Sequence, residues 1–209
     1  MDVEGFARKL PGLFDDFPRS QRPTNGRFAD VLEAADGLAR ENNLALVNLA
    51  AACLDGGESY VEVGSFRGAS LVAAMLGNEG DFVAIDNFAM RDASHAAIEA
   101  NLKRFGCSGA TILAGDVFEV LAPGLDGRSV GVFYWDALHG REAEGLRLVE
   151  PYLADRALLI VDDTDWERVR RSLDIYLERQ PRARELFAIE GESGGQPQWW
   201  EGVRVLAWG

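Results

Sequence analysis

The spacing of apolar positions divides the chain near Gly57. Before it, Phe28, Val31, Leu32, Ala35, Leu38 and Ala39 recur at helical spacing, followed by Leu44, Leu46, Val47, Leu49 and Ala50. This pattern predicts one or two helices between Gly26 and Leu54, stopped by Gly56-Gly57. Pro11, Pro18 and Pro23 cut the residues ahead of them into short turns, which read as a mobile or lid-like piece. After Gly57, short apolar runs alternate with amphipathic stretches. Strands are expected at 59–63, 81–85, 110–113, 130–135 and 157–161, and helices at 69–76, 94–105, 141–152 and 164–180. Strands separated by helices imply an α/β architecture, a parallel sheet with helices on both faces. Residues 185–190 and 203–208 are two further strands with only a Gly/Pro loop between them, which makes an antiparallel hairpin at one sheet edge. The expected organisation is a helical cap over residues 1–56 and a main domain over 57–209.

Composition narrows the partners. The 209 residues carry 34 acidic and 21 basic side chains, a formal net charge of −13. Such a chain repels phosphate backbones and anionic membrane surfaces, so neither nucleic acid nor membrane is expected as a partner. With 47% hydrophobic residues it can bury a sizeable core, yet no apolar run approaches the roughly 18 residues of a membrane span. Cys53 and Cys107 stand far apart with no pairing pattern and read as reduced packing thiols, so a cytoplasmic location is expected.

Ligands of open parallel sheets bind beyond the carboxyl ends of the strands. Those ends carry the run Glu62-Val63-Gly64-Ser65-Phe66-Arg67-Gly68-Ala69-Ser70, then Asp86, Asp116, Asp136 and the pair Asp162-Asp163. A single strand-end Asp is commonly a cap or turn former, but an acid at every one of five ends is a pattern. Gly64 and Gly68 allow a sharp turn close to a ligand. Phe66 stands where the dinucleotide fingerprint needs its second glycine, which disfavours NAD and favours a cofactor without a pyrophosphate. Asp86, 24 residues after Glu62, is placed to accept ribose hydroxyls.

In order and spacing, Glu62–Ser70, Asp86, Ala114-Gly115-Asp116-Val117 and the terminal hairpin resemble a class I S-adenosylmethionine-dependent methyltransferase over about residues 57–209. The resemblance implies a Rossmann-like seven-stranded sheet in the order 3-2-1-4-5-7-6, with strand seven antiparallel. It implies S-adenosylmethionine as cofactor. Glu62, Gly64, Ser65 and Gly68 would hold its methionine end, Asp86 its ribose, and Asp116 with Val117 its adenine. Ser70, Asn87 and Asp136 would be further contacts. Asp136-Ala137-Leu138-His139 followed by Asp162-Asp163 resembles the metal-dependent small-molecule O-methyltransferases, although those relatives have Asp-Gly where this chain has Asp136-Ala137. That likeness implies Mg²⁺ on Asp136, Asp162 and Asp163, His139 as the base, and a hydroxyl of a small molecule as acceptor.

Other readings of the same residues stay open. Asp162, Asp163 and Thr164 also form an N-cap cluster for the helix that follows them. Asp136 could orient cofactor or substrate without a metal, and His139 could be an exposed loop residue. His95 reads as a helix-surface residue. Metal-independent or N-directed transfer, and cofactor binding without turnover, are the alternative functions. Trp199-Trp200 would pack on the sheet edge, wall the pocket or bury in a homodimer contact. Residues 56–150 hold 14 acids against 7 bases, an excess that suits a cationic sulfonium and a divalent ion.

Overall fold

The computed structural model describes residues 1–209. Seven strands form one sheet: β1 (Glu58–Val63), β2 (Asp81–Asp86), β3 (Thr111–Ala114), β4 (Ser129–Trp135), β5 (Leu153–Asp162), β6 (Ala183–Ile189) and β7 (Val203–Trp208). Their order is β3-β2-β1-β4-β5-β7-β6, with β7 antiparallel to both neighbours. This is the order that the family resemblance implies, and the β6–β7 pair is the antiparallel hairpin read from the sequence.

Period-two alternation assigns each strand residue to one of two cores. Tyr60, Phe82, Val132, Leu158 and Val205 face one layer, which contains α3 (Glu41–Ala52), α4 (Ala69–Met75) and α5 (His95–Arg104). Val61, Val83, Phe133, Leu159 and Leu206 face the other, against α6 (Val117–Gly124), α7 (Glu142–Val149) and α8 (Glu167–Arg179). Both faces of the sheet are covered, so the central strands read as nearly unbroken apolar runs. No helix is long and apolar enough to cross a membrane.

The N-terminal residues depart from their expected form. Val3–Lys9 is a helix, α1, capped by the Asp2 carboxylate, which accepts from the Gly5 N–H at 2.8 Å. Phe6 and Leu10 are wholly buried, and Phe6 meets Phe187 edge-on at 6.4 Å. Phe14 and Phe17 pack on Trp199, whose indole N–H donates to the Pro18 carbonyl at 2.7 Å. This segment is docked on the sheet rather than mobile, because its apolar residues complete the first core. The helical run from Gly26 is likewise split. A 3-10 turn leads into α2 (Ala29–Ala35), which ends where Asp36 takes a left-handed φ of 49° before Gly37. The α2–α3 turn brings residues 37–39 to the carboxyl ends of the strands.

Phe6→Ala should therefore lower stability by about 3 kcal/mol, the usual cost of truncating a core phenylalanine. Urea denaturation measures this, and a change within about 0.5 kcal/mol, typical of a surface site, would mean that the segment is not docked in solution.

Candidate functional site

At the end of β1 the chain must turn away from the sheet beside the end of β4. Gly64 does so with φ +88°, and a Cβ there would lie 1.8 Å from the Asp136 carbonyl oxygen. Only glycine permits both the conformation and the contact. The Gly64 N–H donates to the Ile85 carbonyl at 2.9 Å and the Asp136 N–H to that of Val63 at 2.9 Å. The ends of β1, β2 and β4 are thereby fixed side by side. Phe66 follows in the left-handed region at φ 49°. Its N–H donates to the Asp86 carboxylate at 2.7 Å, and the Phe88 N–H donates to the other oxygen at 2.6 Å. The loop thus spends the Phe66 N–H on a carboxylate of its own, where a dinucleotide loop would offer it to a phosphate.

Above this turn lies a cavity of about 440 Å³, within the usual range for small-molecule sites. Of the residues singled out from the sequence, Gly64, Ser65, Ser70, Asp86, Asn87, Val117, Asp136, His139 and Asp163 line it. Glu62, Gly68, Asp116 and Asp162 do not, each for a local reason. Glu62 is fully buried beneath the turn and accepts from the Tyr60 hydroxyl at 2.9 Å and the Ser70 hydroxyl at 3.2 Å. Burial pushes its carboxyl up to about 7. Gly68 opens α4, where a Cβ would press on Ile98. Asp116 caps α6 by accepting from the Phe118 N–H at 2.8 Å.

Asp162 corrects the expected ligand trio. Its oxygens are taken from within: the Tyr134 hydroxyl and the Asp163 N–H (3.0 Å) donate to it, with the Asn43 amide at 3.4 Å. What gathers at the cavity is Asp136, Asp163 and His139, whose ligand atoms lie within 4.8 Å of one another. His139 Nε2 stands 3.2 Å from Asp163 Oδ2, and the imidazole meets Trp166 edge-on at 4.6 Å. Burial pushes the carboxyls of Asp136, Asp162 and Asp163 upward, and mutual repulsion adds to this at Asp136 and Asp163. Burial and Arg168 hold the His139 imidazole below its ordinary value. No side chain caps α8, so Asp162, Asp163 and Thr164 are not a helix-cap cluster. Asp165 instead accepts from the Gly191 and Ser193 N–H groups, at 3.1 and 2.9 Å, and anchors the β6–β7 loop.

A cationic, phosphate-free cofactor fits this wall. Asp86, Asp136 and Asp163 bring to the cavity carboxyls that no Lys or Arg side chain pairs, and a cationic ligand would favour their charged forms. Asp162 stands outside the group whose ligand atoms lie within 4.8 Å of one another, and the remaining two carboxylates with an imidazole beside them are a fitting donor set for Mg²⁺. The sequence reading missed Leu38, Met90, Tyr134, Leu138, Trp166 and Glu201 as cavity residues. Apart from Tyr134 they sit in loops, where no periodicity marks them. Trp199 is buried in the first core, whereas Trp200 lines the cavity. His95 lies in the first turn of α5, outside the cavity, 3.4 Å from Glu99.

Residues 61–164, about half of the chain, match the family described as a methyltransferase domain. The comparison with curated proteins finds no match. Among solved structures, the cofactor-bound protein Rv0187 from MTB is 19% identical with a TM-score of 0.66, over 99% of this chain and 95% of that one. The O-methyltransferase TomG from Streptomyces achromogenes, solved with S-adenosylmethionine, is 16% identical with a TM-score of 0.67, over 100% and 98%. An O-methyltransferase from Bacillus cereus, solved with S-adenosylhomocysteine, is 12% identical with a TM-score of 0.65, over 98% and 96%. At these identities the likeness is one of fold.

Burial of Glu62 has a measurable consequence. Its carboxyl titrates near 4.5 when unfolded and at about 7 when folded, so between these values the native chain holds the extra proton. Its contribution to stability falls as pH rises through that window and is level above it. Glu62→Gln should shrink the loss of urea midpoint between about pH 5 and about pH 8. An unchanged loss would show that Glu62 does not titrate there.

Proposed function

As this chain belongs to the class I S-adenosylmethionine-dependent methyltransferases, we propose that it methylates a hydroxyl of a small molecule, with His139 as general base. The observation that carries this reading is the His139–Asp163 contact of 3.2 Å in the same cavity wall as Ser65 and Asp86. With the Nε2 proton donated to Asp163, the imidazole keeps its lone pair on Nδ1 and accepts the proton that the hydroxyl loses. Asp163 thereby fixes tautomer and ring orientation, and stabilises the imidazolium that forms.

When bound, S-adenosylmethionine supplies a methyl carbon on a sulfonium that leaves without acid assistance. The chain's own task is therefore to hold, orient and deprotonate. Asp86, already fixed by two backbone N–H groups, holds the ribose hydroxyls. Gly64 and Ser65 with Ser70 border the methionine end, and Val117 with Gly115 borders the base. Asp136 stands beside the sulfonium, whose positive charge would favour the ionised form of its carboxyl. Glu62 acts beneath this surface by fixing Ser70.

A second reading is favoured by the shared reach of Asp136, Asp163 and His139. Asp136 and Asp163 would hold Mg²⁺, an ion that takes one or two carboxylates and keeps several waters, leaving His139 beside it as base. Such an ion lowers the pKa of a hydroxyl bound to it.

His139→Ala should lower kcat by about 10²–10⁴-fold while leaving affinity for S-adenosylhomocysteine intact. Unchanged turnover in that variant would remove His139 from the mechanism. Turnover that survives a chelator favours the metal-free reading, and turnover restored by Mg²⁺ after chelation favours the other. Asp86→Ala should weaken S-adenosylhomocysteine binding by about tenfold or more in calorimetry, an interaction loss near 1.4 kcal/mol; full affinity would exclude the ribose role.

A further inference from the structure

Two acids, Glu142 and Glu144, stand in the first turn of α7, and they are used in opposite ways. An acidic group is favourable near a helix N-terminus whether or not it is buried. Glu144 acts from the surface, paired with Arg141 at 2.6 Å. Glu142 is wholly buried, although burying a carboxyl is costly unless hydrogen bonds offset the loss of water. Its carboxyl accepts from the Gly140 N–H at 2.7 Å, in the residue next to His139. The helix dipole accounts for an acid here but not for its burial. What burial adds is the contact with the loop that carries His139.

That loop needs holding. Leu138 (φ 45°) and Gly140 (φ 98°) lie in the left-handed region, one on each side of His139. A leucine avoids this region, and such a conformation persists only where its surroundings enforce it. The direction of the imidazole therefore depends on two irregular backbone positions rather than on a helix or strand. Two bonds fix them: the Leu138 carbonyl accepts from the Arg141 N–H at 3.0 Å, and Glu142 takes the Gly140 N–H. The start of α7 is anchored in turn, because the Ala143 N–H donates to the Ser172 hydroxyl of α8 at 3.0 Å. Trp166, immediately ahead of α8, meets the His139 imidazole edge-on. Glu142 thus ties the His139 loop to a helix start that is itself tied to the element presenting Trp166.

We propose that Glu142 is a positioning residue, which by holding the Gly140 N–H fixes the backbone that turns the His139 imidazole toward Asp163 and the cavity. The inference rests on the reading of His139 as the base and adds the residue that aims it. Glu142 does not line the cavity, so it acts through the loop alone. The contact requires an oxygen acceptor and not a charge. Burial pushes the Glu142 carboxyl up, and an ionised carboxylate, a protonated carboxyl or a glutamine amide each offers an oxygen to the Gly140 N–H. Glutamine should therefore replace Glu142, whereas an apolar side chain of similar volume should not.

His95 and His139 are the only histidines, so His95→Gln assigns the imidazole resonances in carbon–proton correlation spectra of the full chain. At about pH 8.5, where a free imidazole is uncharged, the edge-on indole displaces the His139 ring resonances. Trp166→Leu measures that displacement by abolishing it. Glu142→Met, which keeps the volume but offers no oxygen, should lose most of the displacement, while Glu142→Gln should keep most of it. Glu144→Gln, which alters the other first-turn acid, should leave it unchanged. All three variants should bind S-adenosylhomocysteine within about twofold of the unsubstituted chain in calorimetry. The proposal is overturned if Trp166→Leu moves no His139 resonance, if Glu142→Met keeps the displacement, or if Glu142→Gln or Glu144→Gln loses as much as Glu142→Met. It is also overturned if Glu142→Met abolishes S-adenosylhomocysteine binding, which would assign Glu142 to the fold at large. None of the resonances depends on methyl transfer, so failure here is distinct from failure of His139 as the base, which turnover of His139→Ala decides.

Discussion

Carboxylates crowd together at the carboxyl ends of the strands, and the site is organised around making their burial tolerable. Glu62, Asp86, Asp136, Asp162 and Asp163 converge there, and none is paired with a Lys or Arg. Desolvation and mutual repulsion both oppose charge on such a cluster. The fold answers with neutral donors. Tyr60 and Ser70 serve Glu62, the backbone of Phe66 and Phe88 serves Asp86, and Tyr134 with Asn43 serves Asp162. Asp136 and Asp163 remain at the cavity, Asp163 beside His139 and in the field of Arg168, and a positively charged ligand would relieve the repulsion between them.

That arrangement depends on contacts far from the cavity. Asn43 reaches Asp162 because α3 is sandwiched between the sheet and the N-terminal segment, so even its asparagines are buried. The segment itself is held by Phe6, Leu10 and Phe14 against β6 and Trp199. A loosened N terminus would therefore be felt at Asp162 through Trp199, whose carbonyl also faces the Asn43 amide at 3.5 Å. The cap and the sheet share one core.

Much of this was legible from residue order. Strands buried on both faces leave apolar runs, which their shortness and flanking glycines mark as strands rather than helices, and the sheet order agreed with that implied by the family resemblance. Val3, Phe6 and Leu10 did carry a helical signal, but the neighbouring prolines masked it. α6 was overlooked because it is short and contains Pro123. Loop residues such as Leu38, Met90 and Trp166 were invisible as site residues, since position in a loop says nothing about which other loop lies opposite.

The adjacent pair Asp162-Asp163 draws the line between the two kinds of information. The sequence by itself determined that two acids end the fifth strand, that glycine occupies the turn at Gly64, and that a histidine follows Asp136 by three residues. These are facts of local conformation and chain order. Which acid meets the cavity was decided by tertiary structure. Asp162 is claimed by Tyr134 and Asn43, which lie 28 and 119 residues away in sequence. Asp163 turns out at a left-handed φ of 56° toward His139. A side chain's direction is set by the partners that satisfy it, and those partners are brought near only when the whole sheet is assembled.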